Sequence, residues 1–182
     1  MLPKTINVAP LILRPYRLAD VDAVFAFASD PEWTRYLPVP QPYTHSDAEK
    51  FVAAQVLLVL LDEETHQAWA ITQNDKPIGG VNIRFDFHNQ IGVIGYSIAR
   101  PYWGRGFITQ VAGAVIDTAF ETYPDLNRIR AMADARNHAS LRVMEKLGMV
   151  REGRLRQNRY VRGEFIDEVW CGLLRSEWAT RR

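Results

Sequence analysis

The chain holds 182 residues, with 47% hydrophobic content and a net charge of +1. This length can bury a sizeable core, so we predict a single domain over residues 1–182. The balanced charge gives no sign of nucleic-acid binding, and the one cysteine, Cys171, excludes an internal disulfide framework, as expected of a cytoplasmic protein. The start lacks the apolar core of a signal peptide, and the longest apolar run, Val56 to Leu61, is too short to span a membrane.

The first third of the chain predicts one strand followed by two helices. The stretch INVAPLILRPY has the composition of a strand, ended by a proline that removes a hydrogen-bond donor. Apolar residues then recur at helical spacing from Leu18 to Ala28. Ser46 and Glu49 stand at the spacing of a capping box, which predicts a second helix running through Leu61.

Strands and helices alternate through the rest of the chain. Three consecutive strands are predicted at HQAWAITQ, KPIGGVNIRFDF and QIGVIGYSIA. The remaining elements are a helix after Gly106, a strand at NRIRAMADA, a helix from Asn137 to Leu147 and two final strands, the second at EFIDEVWCGLL. This order is typical of a mixed sheet covered by helices, an α/β or α+β architecture.

The turn before the helix at Gly106 is rich in glycine and arginine. Gly104 and Gly106 flank Arg105, and Arg100 lies just before them. Backbone N–H groups at such a helix start are unpaired and favour a phosphate, which glycine allows to approach closely. Arginine adds bidentate donors. The spacing matches neither G-x-x-x-x-G-K-[ST] nor G-x-G-x-x-G, so a plain tight turn with solvated arginines is the alternative.

Three longer blocks resemble a known family. They are LILRPYRLADVDAVFAFASDPEWTRYL, IGYSIARPYWGRGFITQVAGAVIDTAF and ARNHASLRVMEKLGMVREGRLRQ. They resemble the GNAT acyltransferase superfamily and, within it, the RimJ/RimL branch of N-terminal acetyltransferases. The resemblance implies acetyl-CoA (coenzyme A) as donor, an amine as acceptor and the GNAT fold, which is a mixed, mostly antiparallel sheet with helices on both faces and splayed central strands.

The same resemblance assigns residues to the diphosphate and the arm of the donor. The diphosphate is expected on main-chain groups of Arg105, Gly106, Phe107 and Ile108, with Gly104 nearby. The pantetheine arm is expected between two splayed strands, IGYSI and IRAMADA.

Further donor contacts are expected at the thioester and at the nucleotide. A main-chain N–H of Tyr96, Ser97 or Ile98 would stabilise the charge that develops on the thioester carbonyl. By resemblance, Asn137 binds the pantetheine or orients the amine. Arg142 is a candidate for the 3′-phosphate.

Transfer from a thioester to an amine requires the amine to be neutral. Val93 stands where many relatives carry a carboxylate, so a side-chain general base is not evident. A lysine side chain, with a pKa of about 10.4, would need such a base, whereas an α-amine, at about 7.7 to 8.0, is already partly neutral. The sequence therefore favours a protein N-terminal α-amine as acceptor.

Ser140 is the candidate acid for the departing thiolate. It lies three residues after Asn137, in the first turn of the predicted helix, and by resemblance it protonates the sulfur. From spacing alone, Asn137 is equally a helix N-cap, a role compatible with the first. Ser140 is equally a small polar surface residue.

The acceptor pocket is expected between the loop SDPEWTRYLPVPQPYTHS and the C-terminal hairpin. Its substrate-binding candidates are Glu32, Trp33 and Tyr36, since rigid aromatic rings serve recognition, and core packing explains the rings equally well. The candidates for a side-chain base are Glu32, Glu164, Asp167 and Glu168. Most such carboxylates are solvated.

Other features leave alternatives open. The four histidines have no metal-ligand spacing, so we expect no metal. The arginines from Arg151 to Arg162 are typical of a solvated strand face, or contact a phosphate or an acidic partner. The helix FVAAQVLLVLL suits burial or a dimer partner, so monomer and homodimer both remain open. The alternative functions are succinyl-CoA as donor, a polyamine or antibiotic as acceptor, and a non-catalytic acyl-CoA-binding regulator.

Overall fold

The computed structural model describes residues 1–180, which form an eight-stranded sheet with helices on both faces. The strands β1 to β8 are Ile6–Val8, Leu11–Arg14, His66–Gln73, Lys76–Asp86, Ile91–Ile98, Arg128–Asp134, Val150–Val161 and Glu164–Leu174. The helices α1 to α6 are Val21–Ala28, Pro31–Thr34, His45–Leu60, Phe107–Thr122, His138–Lys146 and Arg175–Ala179. Short 3-10 helices at Leu18–Asp20 and Arg100–Tyr102 precede α1 and the glycine-rich turn.

The sheet is mixed. Its strand order is β1-β2-β3-β4-β5-β6-β8-β7, and each neighbouring pair is antiparallel except β5 with β6. β5 and β6 are parallel because α4 carries the chain back along the sheet between them, as a crossover connection must. The predicted mixed, mostly antiparallel sheet is confirmed.

Alternation along the strands divides the core into two layers. In β3, Trp69 and Ile71 belong to the larger cluster, which α4 and α5 cover, whereas Ala70 between them belongs to a smaller cluster with α1 and α3. The predicted placement of helices on both faces is confirmed. The C-terminal part of α3 leaves Leu57 and Leu60 exposed to solvent. Within residues 1–180, no helix combines the length and apolarity needed to cross a lipid bilayer.

The ladder between β5 and β6 is short. It pairs Ile91 with Arg128, Gly92 with Ile129 and Val93 with Arg130. It ends there, although β5 continues to Ile98 and β6 to Asp134. Beyond these three rungs the two strands diverge, and their facing edges have no ladder partner. The splayed central strands implied by the resemblance are confirmed.

Two element boundaries differ from the sequence expectation. Residues 6–14 form two antiparallel strands, because the chain turns at Ala9 and Pro10 instead of running straight through. The loop expected after α1 contains the short helix α2, which begins at Pro31 because Asp30 accepts a hydrogen bond from its first turn.

The predicted cap of α3 is wrong. Thr44, not Ser46, is the N-cap: its side-chain oxygen accepts the N–H of Asp47, and the Asp47 carboxylate accepts the N–H of Thr44. Thr44 has the extended backbone that a cap requires, whereas Ser46 already lies inside the helix. Glu49 lies one turn further on and has no part in the cap.

Candidate active site

Two glycines shape the turn between β5 and α4. Gly104 has a φ of 74° and Gly106 a φ of 77°, in the left-handed region that residues with side chains rarely adopt. A Cβ placed on either residue would meet no atom within 4 Å. Glycine is therefore required by the backbone conformation of the turn, and the open space beside it leaves room for a ligand.

The aromatic residue of the turn fastens it to the sheet. The indole N–H of Trp103 donates to the carbonyl of Ile98, at 2.8 Å. This bond ties the glycine-rich turn to the last residue of β5, so the turn is fixed relative to the splayed strand. Nothing in the sequence alone indicates which way the Trp103 ring turns.

The two arginines of the turn have different partners. Arg105 is exposed, and its guanidinium lies 5.4 Å from the ring centroid of Tyr102. Arg100 forms an ion pair with Asp30, at 3.1 Å, and so links the turn to the start of α2. Arg105 is therefore the better placed of the two to contact a phosphate.

Helix α4 begins at this turn without a side-chain cap. Gly106 is its N-cap, and the first hydrogen bond of the helix runs from the N–H of Gln110 to the Gly106 carbonyl, at 3.1 Å. The amides of Phe107, Ile108 and Thr109 thus have no acceptor within the helix. These N–H groups at the positive end of the helix dipole are suited to a diphosphate. The predicted diphosphate contacts form one continuous turn.

Across the gap, helix α5 starts at Asn137. The Asn137 side-chain oxygen accepts the N–H of Ser140, at 3.1 Å, so the N-cap interpretation is confirmed. The Ser140 hydroxyl is half-buried and lies 3.2 Å from the Tyr96 hydroxyl. Tyr96 also donates to the Ser140 carbonyl, at 3.4 Å. The Tyr96–Ser140 hydroxyl pair therefore joins α5 to the part of β5 that has left the ladder.

Burial controls the protonation of this pair. Removal from water raises the pKa of Tyr96 to about 12, although the hydrogen bond with Ser140 acts in the opposite direction. The Tyr96 hydroxyl therefore stays protonated at neutral pH. Sequence reasoning gave Tyr96 a main-chain role alone, because its hydroxyl partner lies 44 residues away in the chain.

The remaining donor candidates lie on different sides of the gap. Ser97 and Ile98 end β5, where the strand pairs with β4 on one edge and is open on the other. Arg142 lies on another face of α5 from Ser140. With His138 it lines an open cavity of about 390 Å³ against β7 and β8. The structure thus places Ser140 beside the splayed part of β5 and leaves Arg142 apart from Ser140 and from that strand.

Each carboxylate considered as a base has a cationic partner. The pairs are Glu32 with Arg35 at 3.3 Å, Glu164 with Arg136 at 2.8 Å, Asp167 with Arg154 at 2.6 Å and Glu168 with Arg159 at 2.7 Å. The Arg136 hydrogen bond lowers the pKa of Glu164, and the hydrogen bonds from the Gln157 N–H and from Arg154 lower the pKa of Asp167. A carboxylate with a lowered pKa is a weaker proton acceptor, which disfavours Glu164 and Asp167 as bases.

One further carboxylate lies at the end of β6. Burial by itself would raise the pKa of Asp134, but its hydrogen bonds from Arg136 outweigh burial and lower it. The Asp134 carbonyl also accepts the N–H of Asn137, at 2.8 Å. Asp134 therefore holds the turn that leads into α5. Within residues 1–180, no group of three or more His, Cys, Asp or Glu side chains is placed to hold a metal ion.

The predicted acceptor residues have unequal access to solvent. Trp33 packs into the smaller core cluster, with its ring centroid 5.3 Å from Phe27 and 6.3 Å from Tyr43. Tyr36 is half-buried and Glu32 is exposed. Trp33, also half-buried, thus packs against the core cluster, and Glu32 is the exposed member of this set.

One arginine joins the acceptor loop to the C-terminal hairpin. Arg162, at the tip of the β7–β8 hairpin, donates to the main-chain carbonyls of Arg35, Leu37 and Val39, at 2.7, 2.8 and 3.0 Å. We call these three bonds the Arg162 clasp. The clasp holds together the two segments between which the acceptor pocket was expected. Sequence reasoning missed it because the partners are backbone carbonyls more than a hundred residues away.

Comparison with known proteins identifies the family. Residues 10–150 match the family model described as an acetyltransferase (GNAT) domain. The chain belongs to the GNAT acetyltransferase family. It is an acyltransferase enzyme, so the alternative of a non-catalytic acyl-CoA-binding regulator is not retained.

Relatives of this GNAT enzyme match along nearly its whole length. It is 32% identical over 179 residues to the uncharacterized N-acetyltransferase p20 of Bacillus licheniformis, covering 97% of this chain and 99% of p20. A GNAT-family acetyltransferase from Bacillus anthracis superposes with a TM-score of 0.82 at 25% identity, covering 95% and 99% of the two chains. RimL, a ribosomal L7/L12 α-N-protein acetyltransferase solved with coenzyme A, has a TM-score of 0.82 at 21% identity, with the same coverage, and shares the fold. The predicted GNAT resemblance is confirmed.

Proposed function

We propose that this GNAT enzyme transfers an acetyl group from acetyl-CoA to the α-amine of a protein or peptide N-terminus. The observation that carries the proposal is the gap between β5 and β6, which opens beyond Val93 and Arg130. The uncapped start of α4 lies at one end of this gap, and the Tyr96–Ser140 pair lies beside it. The start of α4, the gap and the Tyr96–Ser140 pair would thus take the diphosphate, the pantetheine arm and the thioester of an acyl-CoA molecule in turn.

The residues present fit the donor. The amides of Phe107, Ile108 and Thr109 would hold the diphosphate, with Arg105 at the rim. The open edges of β5 and β6 offer backbone donors and acceptors to the amide groups of the pantetheine arm, in the manner of an added strand. Bound in this way, acetyl-CoA supplies an activated acyl group at the Ser140 end of the gap.

The chain's own groups then serve the transfer. A main-chain N–H of the segment 96–98 stabilises negative charge on the thioester oxygen as the amine bonds to the carbonyl carbon. Ser140 donates a proton to the sulfur as the carbon–sulfur bond breaks, and the proton that the nitrogen loses as the amide forms restores the Ser140 hydroxyl, which Tyr96 orients. Asn137 keeps Ser140 at the first turn of α5.

The α-amine is proposed because the carboxylates considered as bases already form ion pairs with arginines. Val93 is apolar at the last rung, and the four candidate carboxylates and Asp134 all lie in ion pairs. An acceptor whose pKa is about 7.7 to 8.0 needs less help than a lysine at about 10.4. The fold shared with RimL, whose name states α-N-protein acetylation, supports the same class of acceptor.

Release of free thiol tests this proposal. Acetyl-CoA and succinyl-CoA are offered with a lysine-free peptide, the same peptide with a blocked α-amine and one lysine, spermidine, and an aminoglycoside. We expect turnover with acetyl-CoA and the free α-amine. Turnover confined to spermidine or the aminoglycoside would establish the small-amine alternative, and a preference for succinyl-CoA would change the donor.

A further inference from the structure

A cation without an anionic partner lies at the last rung of the β5–β6 ladder. Arg130 pairs in register with Val93 on β5 and with Gly172 on β8. Ile129 and Ala131 belong to the core beneath α4 and α5, so strand alternation turns Arg130 to the opposite face. That face carries α1 and α3, the acceptor loop and the Arg162 clasp. Arg130 therefore lies on the acceptor side of the gap.

Trp170 supports this guanidinium. The central carbon of the Arg130 guanidinium lies 4.8 Å from the Trp170 ring centroid, a cation–π contact. Within residues 1–180, Arg130 forms no ion pair, and its Nε and the Nε1 of Trp170 are enclosed without hydrogen-bond partners. Unpaired enclosed donors are rare in folded proteins because each has lost its bonds to water.

The geometry leaves the terminal NH₂ groups of Arg130 available. The residue as a whole is half-buried, and Nε is its one enclosed unpaired atom in the described chain. The planar guanidinium over the Trp170 ring can use these groups for two parallel hydrogen bonds to a carboxylate.

The carboxylates on the same face pair with other arginines, and Glu152, which lies against Gly172, pairs with Arg128. Asp134, four residues further along β6, pairs with Arg136 at 2.7 Å. Glu168, on β8, pairs with Arg159 at 2.7 Å. The two residues in register with Arg130 carry no charge. The sheet surface at the mouth of the gap therefore holds an uncompensated positive charge.

We propose that Arg130, supported by Trp170, binds a carboxylate of the acceptor, so that the enzyme selects N-termini with an acidic side chain at residue 1 or 2. This inference rests on the proposed function. Arg130 lies at the rung where the gap opens. The amine must reach the thioester in the gap while the carboxylate reaches Arg130, so the two groups must lie close together in the acceptor. An extended chain advances about 3.3 to 3.6 Å per residue, so an acidic side chain further along would pass beyond the guanidinium.

The unmodified enzyme provides the first test. Peptides with a free α-amine are made identical except at residue 2, which is Glu, Gln or Lys, and a second series varies residue 1 in the same way. In at least one series we expect kcat/KM for the Glu peptide to exceed that for the Gln peptide by about 10- to 100-fold, the range for a hydrogen bond to a charged group. The Lys peptide should be the slowest.

The outcomes separate the two proposals. Equal values for Glu and Gln peptides in both series overturn the role of Arg130 and leave the α-amine proposal standing. Failure of every peptide overturns both. Free glutamate is included as a further acceptor, and faster turnover of free glutamate than of any peptide overturns the acidic N-terminus as the source of the carboxylate.

Variants then assign the preference to Arg130. Arg130→Gln should lower kcat/KM for the Glu peptide to that of the Gln peptide and leave the KM for acetyl-CoA unchanged. Arg130→Glu should reverse the preference in favour of the Lys peptide. Lys4→Gln removes one positive charge at the far edge of the sheet and is the matched control. Loss of the preference in Lys4→Gln would show an effect of net charge and overturn the assignment. If the Arg130 variants fail to fold, the peptide series on the unmodified enzyme still decides whether the enzyme prefers an acidic residue.

Discussion

Ser140 is held from two sides, which makes it a well-defined donor. Asn137 accepts its main-chain N–H, and Tyr96 contacts its hydroxyl. A proton delivered from a fixed position lowers the barrier more than one delivered from solvent. The thiolate is already a tolerable leaving group, so the gain from this donor should be moderate.

Ser140→Ala removes the proposed acid. We expect kcat to fall about 100-fold, the low end of general acid catalysis, with the affinity for acetyl-CoA unchanged. Tyr96→Phe should give a smaller loss in the same direction, because it removes the group that orients Ser140. Steady-state kinetics and calorimetric titration with coenzyme A check the two parts. An unchanged kcat in Ser140→Ala would remove Ser140 from the mechanism.

Gly106 is the second residue whose replacement should have a measurable effect, on both stability and coenzyme A binding. Gly106→Ala places a side chain on a backbone with φ of 77°, which costs about 1–2 kcal/mol in that region. We expect a lower melting temperature and weaker coenzyme A binding, measured by thermal denaturation and calorimetry. Gly153→Ala is the matched control, since Gly153 also has open space above it and is not among the residues with positive φ. Equal behaviour of the two variants would contradict a special role for the turn.

At the scale of elements, the β7–β8 hairpin is held against the acceptor loop by the Arg162 clasp. Three backbone carbonyls accept from one guanidinium, so the loop is fixed by its main chain and tolerates changes in its own side chains. Ion pairs of the hairpin and loop also engage the four carboxylates considered as bases. The hairpin thus holds the acceptor loop and carries three of the four paired carboxylates.

Arg162→Ala breaks the clasp without touching the donor site. We expect the KM for the peptide acceptor to rise about tenfold, as the loss of a charged hydrogen-bond donor implies, while the KM for acetyl-CoA is retained. Arg162→Lys should recover little, because an ammonium group lacks the planar fork that reaches three carbonyls. Arg156→Ala, on the same hairpin, serves as the control. A parallel rise in both KM values would point to global destabilisation instead.

The order of elements could be predicted because its signals are local. Alternation places β3 and β8 at their observed bounds, and Asn137 marks the start of α5 through cap chemistry. The Tyr96–Ser140 pair, the Arg162 clasp and the lone charge of Arg130 could not be predicted. Each depends on which distant segments the sheet order brings together. The alternation of RIRAMAD does place Arg130 on one face, but it cannot show that no acid lies opposite.

At the scale of the whole molecule, the five carboxylates considered as bases all lie in ion pairs, so we expect the pH dependence of the enzyme to reflect the acceptor. A protonated amine cannot attack, so kcat/KM should rise with pH and level off above the α-amine pKa of about 7.7 to 8.0. Glu164 and Asp167, with lowered pKa values, stay charged over this range, and Tyr96, at about 12, stays protonated.

A pH–rate series with two peptides of different α-amine pKa checks this expectation. The inflection should move with the acceptor, because it belongs to the acceptor. An inflection that stays at one pH for both peptides would reveal a titrating group of the enzyme and contradict transfer without a base.

Three rungs join the five strands on one side of the sheet to the three on the other. The acceptor loop belongs to the first part, and Arg130 and the hairpin belong to the second. A pantetheine arm in the gap would hydrogen-bond to the facing edges of β5 and β6, and so join the two parts of the sheet into one surface. We therefore expect acetyl-CoA to bind before the acceptor, because the donor would complete the surface on which the acceptor is proposed to bind.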